Sequence, residues 1–108
     1  MGVQFAREVK QPGETLRYSM EFKPGVRGAL AVGDSLTGTP AITITKRSDG
    51  SSTTSNMLYG NPTLVGNIVY FFLMGGDSGE SYKVTIKSDT VNGEKNIEED
   101  LVVFVKEL

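Results

Sequence analysis

Across Thr15-Leu16-Arg17-Tyr18-Ser19-Met20-Glu21-Phe22 every even position is apolar and every odd one polar. A two-residue period of this kind belongs to a strand with one face on a core and the other in water. Ala41-Ile42-Thr43-Ile44-Thr45-Lys46 repeats it with Ile42 and Ile44, and Ser81-Tyr82-Lys83-Val84-Thr85-Ile86-Lys87 repeats it with Tyr82, Val84 and Ile86. β-branched and aromatic residues fill these runs, as pleated half-buried surfaces favour.

Two other stretches, Ile68 to Met74 and Leu101 to Val105, are apolar on both faces. Each reads as a central strand covered on both sides, or as a strand whose outer face meets a partner. The first reading is favoured, because scattered exposed apolar atoms are ordinary. The breaks between runs carry turn chemistry. Asn92-Gly93 supplies the positive φ values of a tight hairpin turn and predicts antiparallel pairing of the 81–90 strand with the C-terminal one. Asp49-Gly50 ends the strand around 41–47, and Gly75-Gly76 ends the one at 68–74. Gln11-Pro12-Gly13 separates a short strand near Val3 to Val9 from the next. Residues 48–56 read as a polar, mobile loop, and Lys23 to Gly33 as an open stretch in which Val26 to Val32 has room for one helical turn.

About seven short strands, frequent turns and no legible helix predict an all-β fold, a sandwich or small barrel. Gly79-Glu80-Ser81-Tyr82-Lys83-Val84 favours an immunoglobulin-like β-sandwich of about seven antiparallel strands. There a turn glycine precedes a tyrosine, with an inward residue two positions on, as at the corner tyrosine of immunoglobulin-like domains. A plain core tyrosine is the other reading.

The length, 108 residues, suits one domain that folds without staples. Cysteine and histidine are both absent. That removes disulfides, thiolate metal sites, cysteine nucleophiles and the commonest general base near neutral pH. The net charge is -2 and the basic residues are scattered, with Lys46-Arg47 the one adjacent pair. A phosphate backbone needs a concentrated positive field, so nucleic acid is not an expected partner. No apolar run approaches the ~20 residues of a membrane span. Met1 to Glu8 lacks the apolar core of a signal peptide, so the chain is expected to start life in the cytoplasm.

Two strings imitate hydrolase motifs. Gly33-Asp34-Ser35-Leu36 spells the nucleophile block of a large esterase and lipase family, and Gly76-Asp77-Ser78-Gly79 that of chymotrypsin-like proteases. A serine hydroxyl needs a base and oxyanion donors, and both families use a histidine. Each string reads better as a turn, with Asp and Ser bonding locally. A lysine base would have to be buried beside Ser35 or Ser78, and the nearby lysines read as strand-surface residues. Glu98-Glu99-Asp100 are consecutive, so their side chains diverge and read as a solvated charge run guarding a strand end. Asp34, Asp49, Asp77 and Asp89 lie near loops but show no calcium-loop spacing. Met20, Met57 and Met74 read as core filler. No catalytic, cofactor-binding or metal residue is assigned, and no cofactor is implied.

Lys10-Gln11-Pro12-Gly13-Glu14, then Tyr18 to Phe22, then Gly33 to Leu36, and later Gly75 to Thr85, Thr90, Gly93 and an acidic lead-in to Leu101-Val102-Val103 occur in a telling order. In that order the chain resembles a family of small fibre–tail or head–tail adaptor-like proteins from tailed-phage and prophage structural-gene clusters. It departs from the pattern at Arg17, where an acidic residue is usual, at Phe22, where tryptophan is frequent, and in the longer polar stretch 48–60. The resemblance implies an immunoglobulin-like sandwich, no enzymatic activity, no cofactor, and a place in the virion. It implies other virion structural proteins as partners, with self-association as one route. Residues 1–10 and the loop 48–60 are the segments expected to order on assembly, and a free strand edge is a candidate docking element. The alternative function is a carbohydrate-binding or adhesive immunoglobulin-like module. It calls for clustered exposed aromatics, of which only Tyr59 is legible, in a loop-like position.

Overall fold

The alternating runs become strands of two facing sheets. The computed structural model describes residues 7–24 and 30–107. In chain order the elements are β1 (Arg7–Lys10), β2 (Leu16–Glu21), β3 (Leu36–Lys46), α1 (Thr54–Met57), β4 (Leu58–Val65), β5 (Ile68–Leu73), β6 (Ser81–Thr90) and β7 (Ile97–Val105). One sheet has the order β1-β7-β6-β3 and the other β2-β5-β4. The fold is an all-β sandwich. In a constant-type immunoglobulin domain the second, fifth and fourth strands share one sheet, and the third, sixth and seventh share the other. The same partition holds here, but β1 sits beside β7 instead of β2.

Even-numbered residues of β2 and β6 and odd-numbered residues of β5 and β7 face inward. Tyr18, Met20, Val69, Phe71 and Leu73 meet Ile42, Ile44, Tyr82, Val84, Ile86, Leu101, Val103 and Val105 in the core. The Tyr18 and Phe71 rings stack with centroids 6.0 Å apart. Each such side chain contributes about 1.5–3 kcal/mol on leaving water.

Among the described residues four of the five strand pairings are antiparallel, and β1 joins β7 in parallel. The part of the expected N-terminal strand before Arg7 and most of the possible helical turn at Val26 to Val32 lie outside the described residues. The polar stretch 48–60 is more ordered than expected. Thr53 N–H donates to Ile44 O at 2.8 Å, and Ile44 N–H to Thr54 Oγ1 at 2.8 Å. These bonds start the one-turn helix α1, which buries Met57 in the core, and β4 begins directly after it. Met20 is likewise buried and Met74 half-buried.

The β6–β7 hairpin is antiparallel as expected, but its turn is not the tight one that Asn92-Gly93 suggested. Gly93 has φ +100° while Asn92 has no positive φ, and the connection runs over residues 91–96. Glu98-Glu99-Asp100 also differ from a solvated run. The side chains diverge, Glu98 remains exposed, and Glu99 and Asp100 are buried on opposite faces of β7. Lys83 Nζ stands 3.8 Å from Asp100 on the outer side.

Candidate protein-docking surface

Both hydrolase-like strings close turns. Asp34 N–H donates to Ala31 O, and Asp34 Oδ1 accepts the N–H groups of Ser35 at 2.8 Å and Asn92 at 3.1 Å. Val91 N–H adds a bond to Ser35 O. The carboxylate thus ties the entry of β3 to the exit of β6. Burial pushes the Asp34 pKa up, but the Thr90 hydroxyl beside it and the two backbone donors hold it below the ordinary 3.8. A carboxyl with a depressed folded pKa stabilises the fold fully above 3.8 and loses that contribution as the pH falls through the folded value. Asp34→Asn keeps an acceptor oxygen and removes the charge. Its melting temperature is expected to lie below the parent's at pH 7, with the gap closing once the pH drops well under 3.8. Thermal melts by circular dichroism across that range check this. A gap that stays constant into acid would contradict it.

The second string forms the corner between β5 and β6. Glu80 N–H donates to Asp77 O, Gly79 N–H to Val105 O, and Ser78 Oγ accepts the Glu107 N–H at 3.0 Å. The Asp77 N–H donates to Tyr82 Oη, five residues on, at 2.8 Å. A phenol bonded to nearby upstream backbone resembles the contact of a corner tyrosine. Lys46 Nζ reaches Asp77 Oδ2 at 3.1 Å, and that hydrogen bond raises the lysine pKa. One lysine near this corner is buried, contrary to the surface reading of the lysines. Lys10 Nζ donates to Gln11 O at 2.8 Å and Gly75 O at 2.7 Å. Burial lowers its pKa and the charge of Glu14 partly offsets that. The ammonium is committed to two carbonyls. Asp49 binds Ser51, and Asp89 binds Asn96 and Lys95, so the loop aspartates are each engaged where they stand.

Each sheet carries apolar side chains on part of its outer face. On the four-stranded sheet Val9 is 55% exposed beside the half-buried Phe104 of β7, while Val102 next along that strand face is buried. Arg47, Ser81, Val102 and Phe104 line a shallow hollow of ≈ 140 Å³ there. That is below the ~300 Å³ of an ordinary small-molecule site. On the three-stranded sheet Tyr59, Phe72 and Val65 are 57%, 40% and 61% exposed. Tyr59 and Phe72 meet edge to face at 6.3 Å, and the Arg17 guanidinium lies 4.8 Å from the Tyr70 ring centroid. Tyr59 is therefore on a strand, not in a loop. Its neighbour Phe72 was not singled out in the sequence, and Arg17 stood out only as a departure from the family pattern, since only strand register brings the three together. The apolar character of 68–74 on both faces was the available signal.

A family model described as podophage GP4 fiber-tail adaptor protein gp77 matches residues 10–104. The chain belongs to this fibre–tail adaptor family. No curated protein and no solved structure matches it. Membership places the chain among structural components of a phage virion. Among the described residues no helix is long and apolar enough to cross a membrane. The strings that carry the likeness to the adaptor family pair off in space. Residues 10–14 meet the 75–80 corner through Lys10, and residues 33–36 meet 90–93 through Asp34. The two junctions sit at opposite ends of β6, so these strings tie the two ends of the sandwich together.

Proposed function

We propose that the chain is a non-enzymatic adaptor at a tail or head–tail junction of a tailed bacteriophage or prophage, acting through protein–protein contacts alone. It is made in the bacterial cytoplasm and ends in the virion, with neither nucleic acid nor membrane among its partners. The observation that carries this reading is the adaptor-family match over residues 10–104, and the exposed Val9 beside Phe104 on the four-stranded sheet offers a contact for a neighbour. Contiguous exposed apolar surface on a small domain marks an interaction site. Ser35 and Ser78 serve as turn residues, consistent with the absence of chemistry.

The test is co-expression with tail and fibre proteins of the phage that carries it. At least one is expected to co-purify in fixed stoichiometry, and Val9→Glu is expected to weaken that complex at least ~10-fold by placing a charge in its apolar contact. Failure to bind any neighbouring structural protein would count against the reading. The exposed Tyr59 and Phe72 favour a second reading, a carbohydrate-binding module. Sugars stack best on open ring faces, however, and these two rings stand at 77° to each other. A glycan array with no binding removes that reading.

A further inference from the structure

Strand register sets nine outward side chains of the three-stranded sheet in three rows. Arg17, Phe72 and Tyr59 form one row, Ser19, Tyr70 and Thr63 the middle one, and Glu21, Ile68 and Val65 the third. Only two of the nine are charged, with opposite signs, and both lie on β2 at opposite ends of the face. From this arrangement the geometry points to a second copy of this chain as the occupant of the face.

Two copies can oppose this face about a two-fold axis lying in the interface plane. With the axis along the middle row, strands stack on their own equivalents and the outer rows exchange. Arg17 then stands over the second copy's Glu21, Phe72 over Ile68, and Tyr59 over Val65. An axis parallel to the strands would instead set β2 over β4 and leave both charges against uncharged residues. The charge pattern thus selects the first arrangement, and an isologous contact of this kind closes as a dimer. The Arg17 contact with the Tyr70 ring already holds the guanidinium over the middle of the face. Aligned sheets pack readily face to face at about 10 Å, with a crossing angle near 30°.

Size sets the strength. Three strands about 4.8 Å apart and rows about 7 Å apart cover roughly 10 × 14 Å between outermost positions. That is well under the ~800 Å² per partner of a stable complex. The dimer is therefore weak, with Kd on the order of 10 µM to 1 mM, and forms where copies are gathered. It is a matter of this face alone. Loss of the dimer leaves binding to virion proteins intact, and loss of that binding leaves the dimer intact.

Sedimentation equilibrium on the full chain up to about 1 mM tests it, with circular dichroism verifying the fold of each variant. A monomer–dimer equilibrium is expected. Arg17→Glu and Glu21→Arg are each expected to weaken it at least ~10-fold, since each places like charges opposite one another. The double variant restores the opposite pairing and is expected to return within ~3-fold of the parent. A monomer at every concentration, a dimer indifferent to either reversal, or a double variant weaker than both singles would overturn the inference.

Discussion

Replacing Gly76 with alanine is expected to lower stability by about 2–6 kcal/mol, through backbone strain and overpacking together. Gly76 has φ +96°, in the left-handed region that L side chains rarely adopt. A Cβ built there would stand 2.8 Å from Val105 Cγ2 and 3.2 Å from Met57 Cε. Both neighbours are buried, so neither can swing into solvent. Strain at such a backbone position costs about 1–3 kcal/mol, and forcing a methyl into a filled core costs about as much again. Set against a total stability of about 5–15 kcal/mol for a domain, the loss is large. Gly79→Ala is the control, because Gly79 has φ +89° and nothing within 4 Å of its virtual Cβ. Urea denaturation should rank the parent above Gly79→Ala and Gly79→Ala above Gly76→Ala. The second gap isolates the packing component. Combining Gly76→Ala with Val105→Ala should cost less than the two separately, since the smaller side chain makes room. If Gly76→Ala proved no worse than Gly79→Ala, the corner would be looser than its geometry implies.

The crowding at Gly76 also shows which parts of the fold a local reading reaches. Gly75-Gly76 marks a break in any sequence reading, but the need for glycine comes from Val105 and Met57, distant in the chain. Alternation disclosed β2, the second half of β3, and β6 directly, because in each the burial period survives unbroken. It failed where prolines intervene. Pro40 lies inside β3 and Pro62 inside β4, and in each strand the register shifts around the proline. Edge strands tolerate a missing N–H at such irregularities. Local sequence reads the same residues as a stop, so β4 looked like part of a loop. The parallel pairing of β1 with β7 has no local signature at all. Glu99 and Asp100 illustrate the opposite error, since three consecutive acidic residues look solvated until a sheet places two of them under cover. The docking face was half legible. The apolar outer positions of 68–74 could be seen in the chain, whereas the rows that join them to Arg17, Glu21 and Tyr59 exist only across strands.

Tyr82→Ala is expected to cost about 3–5 kcal/mol, and Tyr82→Phe about 1–2 kcal/mol, so the pair separates the two things this side chain does. The ring is 1% exposed and fills core between the sheets. Truncating it to a methyl leaves a cavity that the flanking strands cannot collapse to fill, as for other buried aromatics. Phenylalanine keeps that volume and removes only the oxygen that accepts the Asp77 N–H. A partly buried N–H without an acceptor forfeits about 1 kcal/mol or somewhat more. Asp77 is also the partner of Lys46 across the corner, so loosening its backbone should weaken that ion pair too. The expected reporter is local: amide exchange at Asp77 should accelerate in Tyr82→Phe beyond the change at residues of β2. The corner joins the end of β5, the start of β6 and the chain after β7, with Lys10 bonded to Gly75 behind it. Loosening there should therefore propagate to β1, which among the described strands pairs with β7 alone. A Tyr82→Phe protein as stable as the parent would mean that the bonds from Gly79 N–H to Val105 O and from Val105 N–H to Glu80 O hold the corner unaided. The phenol would then matter only for the space it fills.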